Sequence, residues 1–338
     1  MKPASEKPVV LVTLGDPAGV GPEVVAKALA HPEVHQVCRP IAVGDAAVLE
    51  RAAGWVNVRL SLPRVTRPDA LPADGAAILD IRSGGEEAPV GKVSAAGGKA
   101  AFAALETAVR LCLEGKADAL ATAPINKESL KGAGVPYLDH TEALQKLTGA
   151  GSVFTLFVTG ELRVFFLTRH IPFREIPSYI RRDGIVTFAR QCIEQLRRLG
   201  FDRPRVAVAA LNPHAGEGGM FGQEEITEIR PAVEDLRAEG YQVDGPIPAD
   251  SVFHLAKEGN YDAVISLYHD QGHIATKTLD FHRTVSFTLG LPFLRTSVDH
   301  GTAFDLAGSG RADETSMVEA IRMAARFGPA WKASAARG

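Results

Sequence analysis

The sequence predicts an α/β architecture with a mostly parallel sheet and some antiparallel pairing. Short β-rich apolar runs alternate with longer helical patterns along the chain, which is the main support. Two neighbouring runs, VFTLFVTG and LRVFFLTRH, are spaced as a hairpin pair, which supplies the antiparallel element. A length of 338 residues, 46% hydrophobic and 23% charged, suits two domains or one large α/β unit with ample core.

The elements follow in order. VVLVTL (9–14) reads as a strand and PEVVAKALA (22–30) as the helix after it. RPIAVGD (39–45) is a second strand, and KVSAAGGKAAFAALETAVRLCLEG (92–115) a long Ala-rich helix leading into the strand DALATAP (118–124). After the hairpin, GIVTFARQCIEQLRRLG (184–200) is an amphipathic helix stopped by Gly200. RVAVAALNPH, YDAVISLYHD and TVSFTLG are further strands, and ADETSMVEAIRMAARF (312–327) is the last helix. No repeat or low-complexity linker divides the chain; the Pro-Ile-Asn turn suggests a boundary near residues 125–130.

A net charge of −3 gives no reason to expect nucleic acid or an anionic membrane as partner, and still allows a small anionic ligand in a local basic pocket. The first residues, MKPASEKPVVLVTLGD, lack the pattern of a signal peptide, and no apolar stretch approaches the roughly 20 residues of a membrane span. Cys38, Cys112 and Cys192 follow no metal pattern and read as reduced structural thiols, consistent with a cytoplasmic protein. His31, His35, His254 and Trp55 read as surface or packing residues.

Three histidines stand apart. LRVFFLTRH ends at His170, RVAVAALNPH at His214, and YDAVISLYHD delivers His269. In open α/β sheets ligands bind beyond the carboxyl ends of strands, so three imidazoles there could converge on one divalent ion with an open coordination position. The plainer reading is that each ring caps its strand or bonds a loop carbonyl. The Gly-rich loop NPHAGEGGMFGQEE (212–225) would let backbone approach a ligand, and GHIATK brings Lys277 toward the same place. GDPAGVGPE (15–23) resembles a phosphate-cradling turn but matches neither GxGxxG nor a Walker sequence, so Asp16 and Gly19 line a cleft at most. Asn126 and Lys127 contact substrate or only shape their turn. No Walker or kinase signature supports a phosphotransferase.

Taken together, TLGDPAGVGPE (13–23), TAPINKESL (122–130), HTE (140–142), TRHIPFREIP (168–177), LNPHAGEGGMFGQEE (211–225), PADSVF (248–253), YHDQGHIATK (268–277) and LGLPFLRTSVDHGTAFDLAG (289–308) resemble the 4-hydroxythreonine-4-phosphate dehydrogenase family of pyridoxal phosphate biosynthesis. The matches run in family order over nearly the whole chain. The resemblance implies the two-domain fold of the isocitrate and isopropylmalate dehydrogenases, with an active-site cleft between the domains. It assigns residues 1–125 plus 290–338 to a domain with the cofactor loop, and 126–289 to a substrate, metal and dimerisation domain. It implies a homodimer with shared active sites.

Residue by residue, the resemblance makes His170, His214 and His269 ligands of a divalent metal (zinc, magnesium, cobalt, manganese or nickel), contributed across the dimer. His140, Thr141, Lys277, Ser286 and Arg295 become substrate contacts. His300, Gly301, Thr302 and Asp305 fall in a loop expected to lie along the adenosine of NAD; an arginine such as Arg311 would favour NADP instead. Asp250 and Asp270 could orient metal-binding imidazoles. Lys277, Asp270 or a relay through metal-bound water are the candidates for moving the proton.

The implied reaction is oxidation of a secondary alcohol beta to a carboxylate, followed by loss of carbon dioxide from the β-keto acid. One Lewis acid beside the oxygen assists both stages. Lys277 would supply a compact charge, and Arg295 a planar fork for phosphate or carboxylate. With 4-phosphooxy-L-threonine the product is 3-amino-2-oxopropyl phosphate. The chain departs from the family's pattern near the substrate: Leu138-Asp139 precede HTE, His273 and Thr276 replace aliphatic positions, and Ser286 stands in place of asparagine. The form YHDQGH resembles a branch acting on 4-phospho-D-threonate or 4-phospho-D-erythronate, giving dihydroxyacetone phosphate. A further branch oxidises an aromatic cis-diol carboxylate. Outside enzymes, the alternative is a non-catalytic α/β binding protein stapled by a tri-histidine metal, which would have no use for a nicotinamide.

Overall fold

The structure is a computed structural model that describes residues 7–336. The described residues divide into two compact units, one running up to 153 and resuming at 285, the other spanning 154–284. The expected boundary near 125–130 therefore lies inside the first unit.

In chain order the first unit holds β1 (Val9–Thr13), α1 (Gly21–Ala30), α2 (Pro32–Val37), β2 (Arg39–Gly44), α3 (Ala46–Trp55), β3 (Arg64–Val65), β4 (Ala77–Asp80), α4 (Ala95–Leu113), β5 (Ala119–Thr122), α5 (Lys127–Gly132) and α6 (His140–Thr148). The second unit follows with β6 (Phe154–Thr159), β7 (Leu162–Phe166), α7 (Ile176–Tyr179), α8 (Arg182–Arg198), β8 (Arg205–Ala209), α9 (Arg230–Ala238), β9 (Gln242–Ile247), α10 (Ala249–Lys257), β10 (Ala263–Ser266) and α11 (His269–Leu279). The chain then returns to the first unit as β11 (Val285–Leu289), β12 (Leu294–Val298) and α12 (Thr315–Ala335).

Strands of the first unit run β3-β4-β2-β1-β5-β12-β11, parallel throughout except for the antiparallel pair β11/β12. Those of the second run β6-β7-β10-β8-β9, with only β6/β7 antiparallel. The hairpin is thus as the sequence predicts. The central strands are short unbroken apolar runs because helices cover both faces of a parallel sheet.

Each unit has its own core. Leu11, Ile41, Leu79, Leu105, Leu120 and Phe293 pack in the first; Phe157, Val164, Phe166, Ala207, Val252 and Val264 pack in the second. The long helix α4 starts where Ser94 accepts the Gly97 N–H at 3.1 Å, an N-cap that satisfies one orphan donor. At the other end of the chain α12 buries Trp331, whose indole N–H donates to Leu291 O at 3.1 Å. Cys38, Cys112 and Cys192 are free and buried. Among the described residues no helix is long and apolar enough to cross a membrane.

Candidate active site

In the second unit β7, β10 and β8 are parallel neighbours, so the chain leaves all three at one edge. The exits stay tied together past the strand ends. Leu167 N donates to Ser266 O at 2.9 Å and Thr168 N to Leu267 O at 3.2 Å. The buried Gln271 side chain accepts from Leu267 N at 2.7 Å and donates to Ala210 O at 2.8 Å. Loops after all three strands line one cavity of about 210 Å³, through Phe173 and Arg174, Leu211 and Asn212, and Tyr268.

The three histidines lie in these loops, past the strands rather than at their ends. YDAVISLYHD stops being strand at Ser266, and His269 is the first residue of α11. The rings of His170 and His269 stand 5.7 Å apart, centre to centre, at 44°, close enough for two imidazoles to share an ion. His214 lies in a left-handed backbone run in which His214, Ala215 and Glu217 take φ of 49°, 55° and 41°. Such values are costly for residues with a Cβ and persist only where surroundings enforce them. Just before this run buried Glu225 anchors the chain, its carboxylate accepting from Leu211 N at 2.8 Å, Asn212 N at 2.7 Å and Asn212 Nδ2 at 2.9 Å.

Two of the three rings already carry the carboxylate that commonly steers a metal-binding imidazole. His269 Nδ1–H donates to Asp270 Oδ1 at 2.7 Å, and His214 Nδ1–H to Glu217 Oε1 at 2.6 Å, leaving Nε2 free to ligate in each. The donor chemistry fits a divalent ion. The trio is not assembled, however: among the described residues no three His, Cys, Asp or Glu side chains stand together at ligand spacing. Asp250, expected to steady a ring, instead accepts from Ser251 Oγ at 3.1 Å.

Along α11, His269, His273 and Lys277 share one face at i, i+4 and i+8. Burial, together with the nearby charges of His269 and Lys277, pushes the pKa of His273 down to about 4, so its ring is neutral. Lys277 Nζ lies 5.4 Å over the Phe281 ring.

Of the expected substrate residues in the first unit, Ser286 and Arg295 lie on one sheet face. Thr13, Thr122, Ser297 and Ser286 are successive register partners across β1, β5, β12 and β11, and partners in register point to the same side. Next to that hydroxyl row is Arg295, opposite Thr288. Its side chain is buried at 5% exposure and donates to Thr122 Oγ1 at 2.6 and 3.0 Å and to Thr288 Oγ1 at 2.9 Å. Burial lowers its pKa to about 9, partly offset by Asp139, so it remains a cation at neutral pH. Asp139 is engaged as the N-cap of α6, accepting Thr141 N at 2.9 Å and Glu142 N at 3.1 Å. That is what the Leu138-Asp139 departure does. His140 opens the same helix; burial first, then the Arg295 charge, holds its pKa well below the usual value, and its Nε2 is buried without a partner.

In the loop between β12 and α12, His300 Nδ1–H donates to Gly301 O at 3.0 Å, while Thr302 is buried and Asp305 exposed. The stretch GDPAGVGPE serves this loop. Val20 N donates to Thr302 O at 2.9 Å, and a Cβ on Gly19 would stand 2.7 Å from the same oxygen, so only glycine permits the approach. Buried Glu23 accepts from Gly308 N at 2.5 Å and Gly310 N at 2.9 Å, and Lys27 donates to Ala312 O at 2.6 Å. The Gly-rich turn is therefore a template for the loop.

Several of these side chains escape sequence reading. Thr122 and Thr288 look like ordinary strand residues until the register places them against Arg295. Glu217, three residues after His214, was available as a local signal. Glu23 stood inside a motif read for its glycines.

A model of the family described as pyridoxal phosphate biosynthetic protein PdxA matches residues 36–324. The chain belongs to this family. It is accordingly an oxidoreductase of the dehydrogenase type. A relative from Symbiobacterium thermophilum, provisionally named a D-threonate 4-phosphate dehydrogenase, is 50% identical over 96% of this chain and 98% of its own length. The crystal structure of a 4-hydroxythreonine-4-phosphate dehydrogenase from Klebsiella pneumoniae is 41% identical, with a TM-score of 0.86 over 96% of this chain and 98% of that one. One from Burkholderia phymatum is 42% identical, with a TM-score of 0.84 over 95% and 98%. Membership in the PdxA family removes the non-catalytic binding protein from consideration.

Proposed function

We propose that the protein oxidises and decarboxylates a phosphorylated 3-hydroxy acid of the 4-hydroxythreonine-4-phosphate type, with NAD as oxidant. The observation that carries this reading is Arg295, a buried cation whose hydrogen-bond partners are two threonine hydroxyls. A charge taken out of water is tolerated at such cost chiefly where it meets a counter-charge; Asp139 offsets part of the cost, and a substrate anion would supply the rest. His140 and Thr141 add donors to the same anion, with Ser286 further along the hydroxyl row.

His170, His269 and His214 would hold a divalent ion, His214 joining in the assembled enzyme, and such an ion supplies Lewis acidity beside the reacting oxygen. When bound, NAD would supply the hydride acceptor, and Lys277 or Asp270 would take the hydroxyl proton and pass it to solvent. The bond to the carboxylate then breaks, its electron pair moves toward the new carbonyl, and a proton returns to carbon. NAD would lie along His300, Gly301, Thr302 and Asp305, on the loop that α1 templates. The protein would act as a homodimer. Supporting this, the second unit exposes several large apolar side chains: Phe173 (76%), Met220 (72%), Ile274 (65%) and Phe281 (59%).

A second reading of the substrate, D-threonate 4-phosphate, is favoured by the 50% identity to a relative named for it, and by Ser286. NADH formation by the purified protein on both substrates, with and without a chelator, tests the proposal. Chelator-sensitive turnover of the amino acid supports the first reading, and turnover of the sugar acid alone the second. No turnover of either, with the protein folded, would overturn the substrate class.

A further inference from the structure

We infer that His273 is a positioning residue that fixes the ring plane of His269 through a continuous aromatic stack; the inference rests on His269 being a metal ligand, as proposed above. It begins with how α11 is seated. A Cβ on Gly272 would fall 2.6 Å from Phe166 Cε1, 2.7 Å from Val164 Cγ1 and 2.8 Å from Ser266 Oγ. Only glycine lets the helix backbone lie this close to β7 and β10. That close approach inserts the next side chain, His273, among the core rings.

His273 stacks on Phe166 at 4.6 Å and 26°, and Phe157 meets it edge-on at 4.3 Å and 71°. Phe157 and Phe166 are themselves locked edge to face at 5.4 Å and 84°. So the His273 ring is fixed by two residues of the core. Outward, it stacks on His269 at 4.0 Å and 29°, one helical turn earlier. The order Phe166, His273, His269 carries the rigidity of the core out to the expected ligand.

The other restraint on His269 is its bond to Asp270, whose side chain is 73% exposed. A carboxylate in water selects the ring's tautomer but holds its plane weakly. The stack does what Asp270 cannot, because offset rings resist tilting. A ring held in one plane loses less freedom on taking an ion, which is the general benefit of a preorganised site.

The test measures Zn²⁺ affinity of the full-length protein by competition with a chromophoric chelator, for wild type, His273→Ala and His273→Phe. Phenylalanine keeps the stack and removes the ring nitrogens; alanine removes both. The expected result is about tenfold weaker zinc binding for His273→Ala, the scale seen when ligand-orienting partners are lost. His273→Phe should stay within about threefold of wild type, the allowance we make for a stack that survives with altered offset. Melting temperatures measured without zinc separate ring positioning from general loss of packing. Wild-type affinity in His273→Ala would overturn the inference, and so would a His273→Phe as weak as alanine, which would assign the role to a ring nitrogen. Should wild type not bind zinc at all, the metal reading itself falls and takes this inference with it.

Discussion

Glu23 holds Gly308: the buried carboxylate on α1 accepts the Gly308 N–H at 2.5 Å, and Gly310 N–H at 2.9 Å fills its other oxygen. One side chain thus closes the expected cofactor loop onto a helix set nearly the whole sequence away. Glu23→Gln keeps one acceptor and turns the other position into a donor facing an N–H. We expect a stability loss of about 2 kcal/mol, the scale of one hydrogen bond to a charged group. The Michaelis constant for NAD should rise more than turnover falls. Unchanged cofactor affinity in a folded variant would remove this loop from the cofactor site.

Arg295 should show opposed effects on stability and activity. A buried guanidinium with hydroxyl partners is costly to keep when no anion is bound. Arg295→Met should therefore unfold at the same denaturant concentration as wild type or higher, by up to about 2 kcal/mol, while kcat/KM falls at least about 100-fold. A destabilised variant with intact kcat/KM would show the residue to be structural.

Acid should destabilise the protein through His140 and His273. Both have pKa values below the ordinary 6.5, His273 reaching about 4, so the folded protein keeps them neutral where the unfolded chain protonates them. As pH falls through 6.5 the unfolded state takes up protons first, and stability drops until His273 itself titrates near 4. Above 6.5 neither state is protonated there and the contribution is constant. Urea midpoints measured at pH about 7.5 and about 5 should differ less for His273→Phe than for wild type. Equal slopes would contradict the burial of this ring.

Gly272→Ala should be worse than its size suggests. The added methyl meets Phe166, Val164 and Ser266 at under 3 Å, at the heart of the α11 seat. Overpacking of this kind costs about 1–3 kcal/mol. Because α11 must lift, zinc affinity should fall along with stability. Thermal unfolding and chelator competition on the same preparation read both; a variant as stable as wild type would show that the helix has room to move.

The sequence by itself determined the α/β class, the β6/β7 hairpin and most strands and long helices, because apolar periodicity and Gly or Asn boundaries act over a few residues. It also singled out His170, His214 and His269, since chemistry-bearing side chains just beyond apolar runs stand out, whereas Arg295 came only from the resemblance to the family. Tertiary structure decided what those residues meet. Thr122 and Thr288 flank Arg295 through strand register, and Thr122 is remote in sequence, so local patterning is silent on it. His273 became the neighbour of His269 only once Gly272 let α11 settle on β7. GDPAGVGPE looked like a ligand turn because glycines signal close approach, yet what approaches is the protein's own loop at Thr302. A glycine states that something comes near; only packing states what.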